Sequence, residues 1–154
     1  MTFVVVRVRG TVNINSEIKD TMKMLRLNRV NHCVIIPNTK IYLGMLQKVK
    51  DYVTWGEIAP EMLAKMLIHR GRLVGDKKIS DKYLKSNSDF KSIMSFAKAL
   101  SSGETRYSDL KDIKPVIRLH PPRQGYEGIK RSFQVGGALG YRGDKINALI
   151  DRMI

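Results

Sequence analysis

Residues able to carry out chemistry are few in this chain, and their spacing does not suit it. The three histidines, His32, His69 and His120, lie far apart and fall in no H-E-x-x-H, C-x-x-C or related ligand spacing, so no metal site is expected. The single cysteine, Cys33, lies in the apolar run Cys33-Val34-Ile35-Ile36 and reads as a buried structural thiol in a reducing compartment. A nucleophile elbow of the G-x-S-x-G kind is missing, and the 14 carboxylates are spread mostly over helical stretches. One segment, Gly136-Gly137-Ala138-Leu139-Gly140-Tyr141-Arg142-Gly143, has the look of a glycine turn that could hold a phosphate at a helix start. It fails as a nucleotide fold: Asp144-Lys145-Ile146 follows where a P-loop needs Lys then Ser or Thr, and a dinucleotide fingerprint needs a preceding strand and a distal acid. Asp144 also places negative charge where the phosphate would sit. The glycines then serve either a structural turn or contact with an RNA backbone. The chain predicts no catalysis, no cofactor and no small-molecule substrate.

Charge is the stronger signal. In 154 residues, 28 Lys and Arg face 14 Asp and Glu, a net +14 that calls for a polyanionic partner, nucleic acid before membrane. A membrane partner is not expected, because no 18-residue apolar run exists and residues 1–10 read as a strand rather than a signal peptide. Aromatic residues make up only 7%, so base stacking should be sparse. The cations cluster. Residues 114–143 carry three prolines, six glycines and six Lys or Arg against one acid, Glu127, a pattern suited to RNA contact through Arg118, His120, Arg123, Lys130, Arg131 and Arg142. A second patch joins Arg26 to Asn28, Arg29, Asn31 and His32, and a third is His69-Arg70-Gly71-Arg72. Gly44, in a helical stretch where glycine costs roughly 1 kcal/mol against alanine, is flanked four residues either side by Lys40 and Lys48. That spacing lets a phosphate backbone approach the helix, or else reflects close packing of helix on sheet.

These patches need elements to hold them. Residues 3–9 form a β-branched strand ended by Gly10, and its lack of alternation over the first half predicts burial along most of its length. Asn15 or Ser16 caps a helix to about residue 27 with Ile18, Met22 and Leu25 on its apolar face. A strand at 32–36 stops at Pro37, Thr39 caps a helix with Ile41, Met45, Leu46 and Val49 inward, and a third strand spans 52–58. This unit is an α+β sheet with helices on one face and could fold alone. Beyond it the pattern turns helical: 60–71 with Met62, Leu63, Met66 and Leu67 on one face, a short helix at 80–85, one from Ser88 or Asp89 to Leu100, and a turn at 109–113. Residues 114–143 should be mostly loop, and Asp144 caps a last helix with Ile146, Leu149, Ile150 and Met153 as its docking stripe. Two parts follow, a core at 1–58 and an extension at 59–154 packed on it.

Four ordered marks resemble one family: Met24-Leu25-Arg26-Leu27-Asn28-Arg29; the run from Gly44 to Gly56; Ile68-His69-Arg70-Gly71; and the ending, 118–125 with 136–147. Together they are similar to the universal large-subunit ribosomal protein thirty family in its longer archaeal and eukaryotic form. The resemblance implies a ferredoxin-like β-α-β-α-β core with a three-stranded antiparallel sheet, followed by a mostly helical C-terminal extension. It also implies RNA contacts at Arg26, Asn28, Arg29, Asn31, His32, Lys40, Gly44 and Lys48. Eukaryotic members carry a long basic N-terminal arm ahead of the first strand, so the archaeal form fits better. Implied partners are large-subunit ribosomal RNA, a neighbourhood near the small 5S RNA, and adjacent large-subunit proteins, in a cytoplasmic ribosome. The competing classes are an RNA-processing or RNA-modifying enzyme, which needs a convergent acid–base set or cofactor pocket, and a free RNA chaperone.

Overall fold

In the computed structural model, which describes residues 1–154, the first 58 residues form the expected β-α-β-α-β unit. Its elements are β1 (Thr2–Arg7), α1 (Ser16–Met24), β2 (His32–Pro37), α2 (Lys40–Val49) and β3 (Val53–Glu57). The β1 strand lies between β2 and β3 and is antiparallel to both, with Val5 opposite Val34 on one side and Trp55 on the other. Asn15 accepts the Glu17 N–H at 3.0 Å and Thr39 the Tyr42 N–H at 3.4 Å, so both helices start at their capping residues. Within α2 the inward stripe is Tyr42, Leu46 and Val49; Ile41, expected inside, is turned out and 78% exposed. One residue of helix is about 100°, enough to carry Ile41 off a stripe centred on Leu46 and Val49.

The remainder adds α3 (Pro60–Arg70), α4 (Asp81–Asn87), α5 (Ile93–Ser102), β4 (Val116–Arg118), β5 (Gly128–Ser132), β6 (Gly137–Tyr141) and α6 (Ile146–Met153). The sheet therefore has six strands in the order β4-β2-β1-β3-β6-β5, where three were expected. The stretch 114–143, expected to be mostly loop, supplies all three added strands. They are short, and each lines up on an edge or strand already in place: β4 antiparallel on β2, β6 parallel on β3, β5 parallel on β6. Two glycines make the joins possible. A Cβ at Gly137 would collide with the Arg131 backbone, and one at Gly56 with the Gly143 carbonyl, so these positions serve close approach of protein to protein. The α5 helix begins at Ile93, later than expected, because Ser88 bonds back to Leu84 at the end of α4 while Ser92 and Ser95 form the capping box. Ahead of α6 a 3₁₀ turn at Gly143–Lys145 replaces the expected Asp144 cap.

Both faces of the sheet are covered, which accounts for the unalternating valines of β1. Phe3 and Val5 pack with Met22, Leu25, Leu46 and Val49 under α1 and α2. Val4 and Val6 pack with Leu63 and Leu67 of α3, Phe96 and Leu100 of α5, and Leu149 and Ile150 of α6. The extension thus shares the sheet and supplies the second helical layer. Cys33 is wholly buried in this layer, and burial pushes its thiol well above the usual range.

Candidate nucleic-acid interface

The loop after α1 is shaped from below. Leu25 and Leu27 are buried and hold its two ends, leaving Arg26, Asn28 and Arg29 in solvent. Arg26 takes a left-handed φ of 61° and Asn31 one of 66°, conformations a non-glycine residue keeps only where its surroundings impose them. Arg7 does the imposing. Buried at the end of β1, it donates Nη1 to the Leu27 carbonyl at 2.7 Å, and its own carbonyl accepts the Asn31 N–H at 2.9 Å. Asn31 is held from the far side as well, its amide oxygen accepting the Tyr126 hydroxyl at 2.6 Å.

Distant segments meet beside this loop. Strand pairing sets His32 opposite Arg118 and Cys33 opposite Ile117. The turn at 72–78 lies against the entry to β4, where the Lys114 N–H donates to the Arg72 carbonyl at 2.9 Å and the Lys114 ammonium pairs with Asp76. Lys114, with Arg118 and Arg72 behind it, holds the Asp76 carboxyl below its usual range. His32 is half-buried; burial first, then Arg118, Arg29 and Arg7, pull its pKa down, so the ring is neutral near pH 7. Its Nδ1 has no protein partner. Arg29, His32, Arg72, Lys114 and Arg118 thus gather at the β4 edge. Arg72 also donates to the carbonyls of His69 and Gly71, closing the end of α3, beside half-buried Arg70. His120 and Arg123 continue the seam: their N–H groups bond to Met153 and Arg152, and their side chains are exposed.

The other expected contacts are elsewhere. Lys40, Gly44 and Lys48 stand exposed on α2, Lys48 within 3.5 Å of Glu17. Nothing lies within 4 Å of a Cβ built at Gly44, so close helix packing is not why that position is glycine. Lys130 and Arg131 are exposed on β5, five strand spacings or about 24 Å from the β4 edge, so the basic stretch 118–131 is divided between opposite ends of the sheet. Arg142 is a correction. It is 6% exposed, bonds Thr54 Oγ1 and the Ala138 carbonyl at 2.8 Å each, and lies over the Phe133 ring, a fixture of the interior that cannot reach a phosphate. Sequence reasoning counted Lys114 only in the charge of its stretch and gave Arg7 and Tyr126 no role. An arginine inside a run of valines is a visible sign for Arg7; nothing local marks Tyr126. No three His, Cys, Asp or Glu side chains converge anywhere in the chain, and no helix is long and apolar enough to cross a membrane.

A family model described as ribosomal protein L30p/L7e matches residues 3–53, from β1 to the first residue of β3. Over 151 residues the chain is 56% identical to the large ribosomal subunit protein uL30 of Methanoculleus marisnigri, covering 98% of this chain and 99% of that one. It is 53% identical to the uL30 of Methanobrevibacter smithii, over 99% of each. The chain belongs to the uL30 family. Its likeness to archaeal uL30 proteins runs through β4, β5, β6 and α6, so the extension is as much a part of the archaeal type as the β-α-β-α-β unit. The uL30 of Methanoregula boonei, 53% identical over 98% of this chain, agrees.

Proposed function

We propose that this uL30 chain is a structural constituent of the large ribosomal subunit and not an enzyme, acting in the cytoplasm by holding large-subunit ribosomal RNA. The observation that carries the RNA-binding part is the gathering of Arg29, His32, Arg72, Lys114 and Arg118 at one edge by strand pairing and turn contacts, from three separate segments. Arginines there neutralise phosphates and the β4 edge fixes their spacing, while Arg26, Asn28, Asn31, Arg70, His120 and Arg123 extend the surface along the same side. Lys40, Gly44 and Lys48 form a second approach over α2, and Lys130 and Arg131 a third on β5. In this reading residues 1–58 are the RNA-binding core and 59–154 complete and brace it. Its neighbours are other large-subunit proteins, with the small 5S RNA nearby; no small molecule is bound.

The test is the salt dependence of binding to purified large-subunit RNA. With about 6 to 10 phosphates contacted, affinity should fall on the order of 10³- to 10⁵-fold between 50 and 200 mM salt. A flat response rejects the reading.

A further inference from the structure

The added strands lengthen the sheet past α2 and leave a groove that the β-α-β-α-β unit alone would not have. Its floor is β6 and the 3₁₀ turn before it, its wall the end of α2, and its volume about 320 Å³. Tyr141 presents its ring here, 46% exposed, beside the nearly buried Trp55 at 6.3 Å between centroids and Phe3 at 6.4 Å. The Tyr141 hydroxyl donates to both oxygens of Glu57, at 2.7 and 2.8 Å, which pins the ring and keeps the phenol protonated. Phe133 lines the same groove, and its ring is held from one side by the Arg142 guanidinium at 4.8 Å. Two side-chain amides, Gln47 and Gln134, join Lys50 and Asp51 in the lining, all four exposed and their side chains unengaged.

Rigid aromatic rings, unengaged amides and a lysine match the chemistry of a nucleobase, which has a flat apolar face, an edge of donors and acceptors, and a phosphate attached. We propose that this groove receives one unstacked base of the bound RNA, resting against Tyr141 and Phe133, its edge met by Gln47 and Gln134 and its phosphate by Lys50. Asp51 suits an exocyclic amino group and disfavours a phosphate at its own end. Exposed Gly44, one turn before Gln47, lets the RNA backbone run close over α2 as the base drops into the groove. A protein side chain is the disfavoured occupant, because the neighbouring helix surface carries Lys40, Lys48 and Lys50, which suit a polyanion.

This rests on the RNA-binding reading above, and one experiment separates the two. The full chain is bound to large-subunit RNA, which is probed with reagents that modify the Watson–Crick edges of unpaired bases. One unpaired base should be protected by the wild type and by Tyr141→Phe, which keeps the ring. Protection should be lost with Tyr141→Leu, with affinity falling roughly tenfold. The paired change Gln47→Ala and Gln134→Ala is at two exposed positions and breaks no protein hydrogen bond; it should also lose protection, with a few-fold drop in affinity, and it decides the matter if Tyr141→Leu disturbs folding as read by Trp55 emission. Salt-dependent binding with no protected base, or protection unchanged in the glutamine pair, overturns the pocket alone. Absence of salt-dependent binding overturns the RNA-binding reading with it.

Discussion

The two ends of the sheet were made from the same proline- and glycine-rich stretch and came out differently. At the β4 edge the added strand brings Arg118 beside His32, and its charge stays in solvent among other cations. At the β6 end Arg142 is drawn inside, satisfied by Thr54 and the Ala138 carbonyl, and spends its charge on the fold. A cation in a glycine-rich segment is therefore no guide to what it touches; its place in the strand pairing is. The largest expected effect breaks the comparison at the buried end. Arg142→Ala empties a buried site and orphans its partners, and should cost about 3 kcal/mol of stability in denaturant titration, with the salt slope of RNA binding by the folded fraction unchanged. A reduced slope would put Arg142 in contact with phosphate after all.

Arg29→Ala with Arg118→Ala is the mirror case. Binding to large-subunit RNA should weaken on the order of 10- to 100-fold near 150 mM salt and the salt slope fall by about 2, while stability stays within about 0.5 kcal/mol. Gly44→Ala tests the surface between the two ends. It should stabilise the free protein by about 0.5–1 kcal/mol, since the position is open helix, and weaken RNA binding where the backbone runs over α2. Unchanged binding would confine the RNA to the β4 edge.

The smallest effect is one of pH. His32 has a folded pKa below its unfolded value near 6.5, so the unfolded chain binds the proton more readily, and the stability that His32 contributes is present above that value and lost as pH falls below it. Thermal unfolding should show a shallow decline below about pH 6.5, ahead of the loss of the Asp76 and Asp151 ion pairs at more acid pH. His32→Gln should flatten that first decline.

Local rules served well where a residue's neighbours in sequence are also its neighbours in space. Asn15 and Thr39 cap as their types demand, the β1 valines are buried on both faces, and Leu25 and Leu27 leave Arg26 outside. They failed where an existing edge recruited a segment of weak propensity: β4 is three residues long, β5 opens on a glycine and runs into charged residues, and β6 has two glycines in five, so only their partners make them strands. Among the candidate contacts, the loop 26–32 and Arg118 were recognisable as charge, but their meeting was not, because it depends on a pairing across more than eighty residues. The aromatic groove was hidden for the same reason. Trp55 lies far in sequence from Phe133 and Tyr141, the three form no aromatic motif, and low aromatic content pointed away from stacking.

The parallel pairing of Thr54 with Gly140 ties together residues 86 apart. During synthesis the β-α-β-α-β unit can close on contacts within its first 58 residues, whereas the sheet cannot be finished until β6 has left the ribosome. At roughly 5–20 residues per second, that delay is about 4 to 17 seconds. Throughout this interval the nascent chain carries its α2 lysines but no aromatic groove, and for most of it the β4 edge is still open. The proposed base pocket is thus a property acquired in the last moments of the chain's own translation.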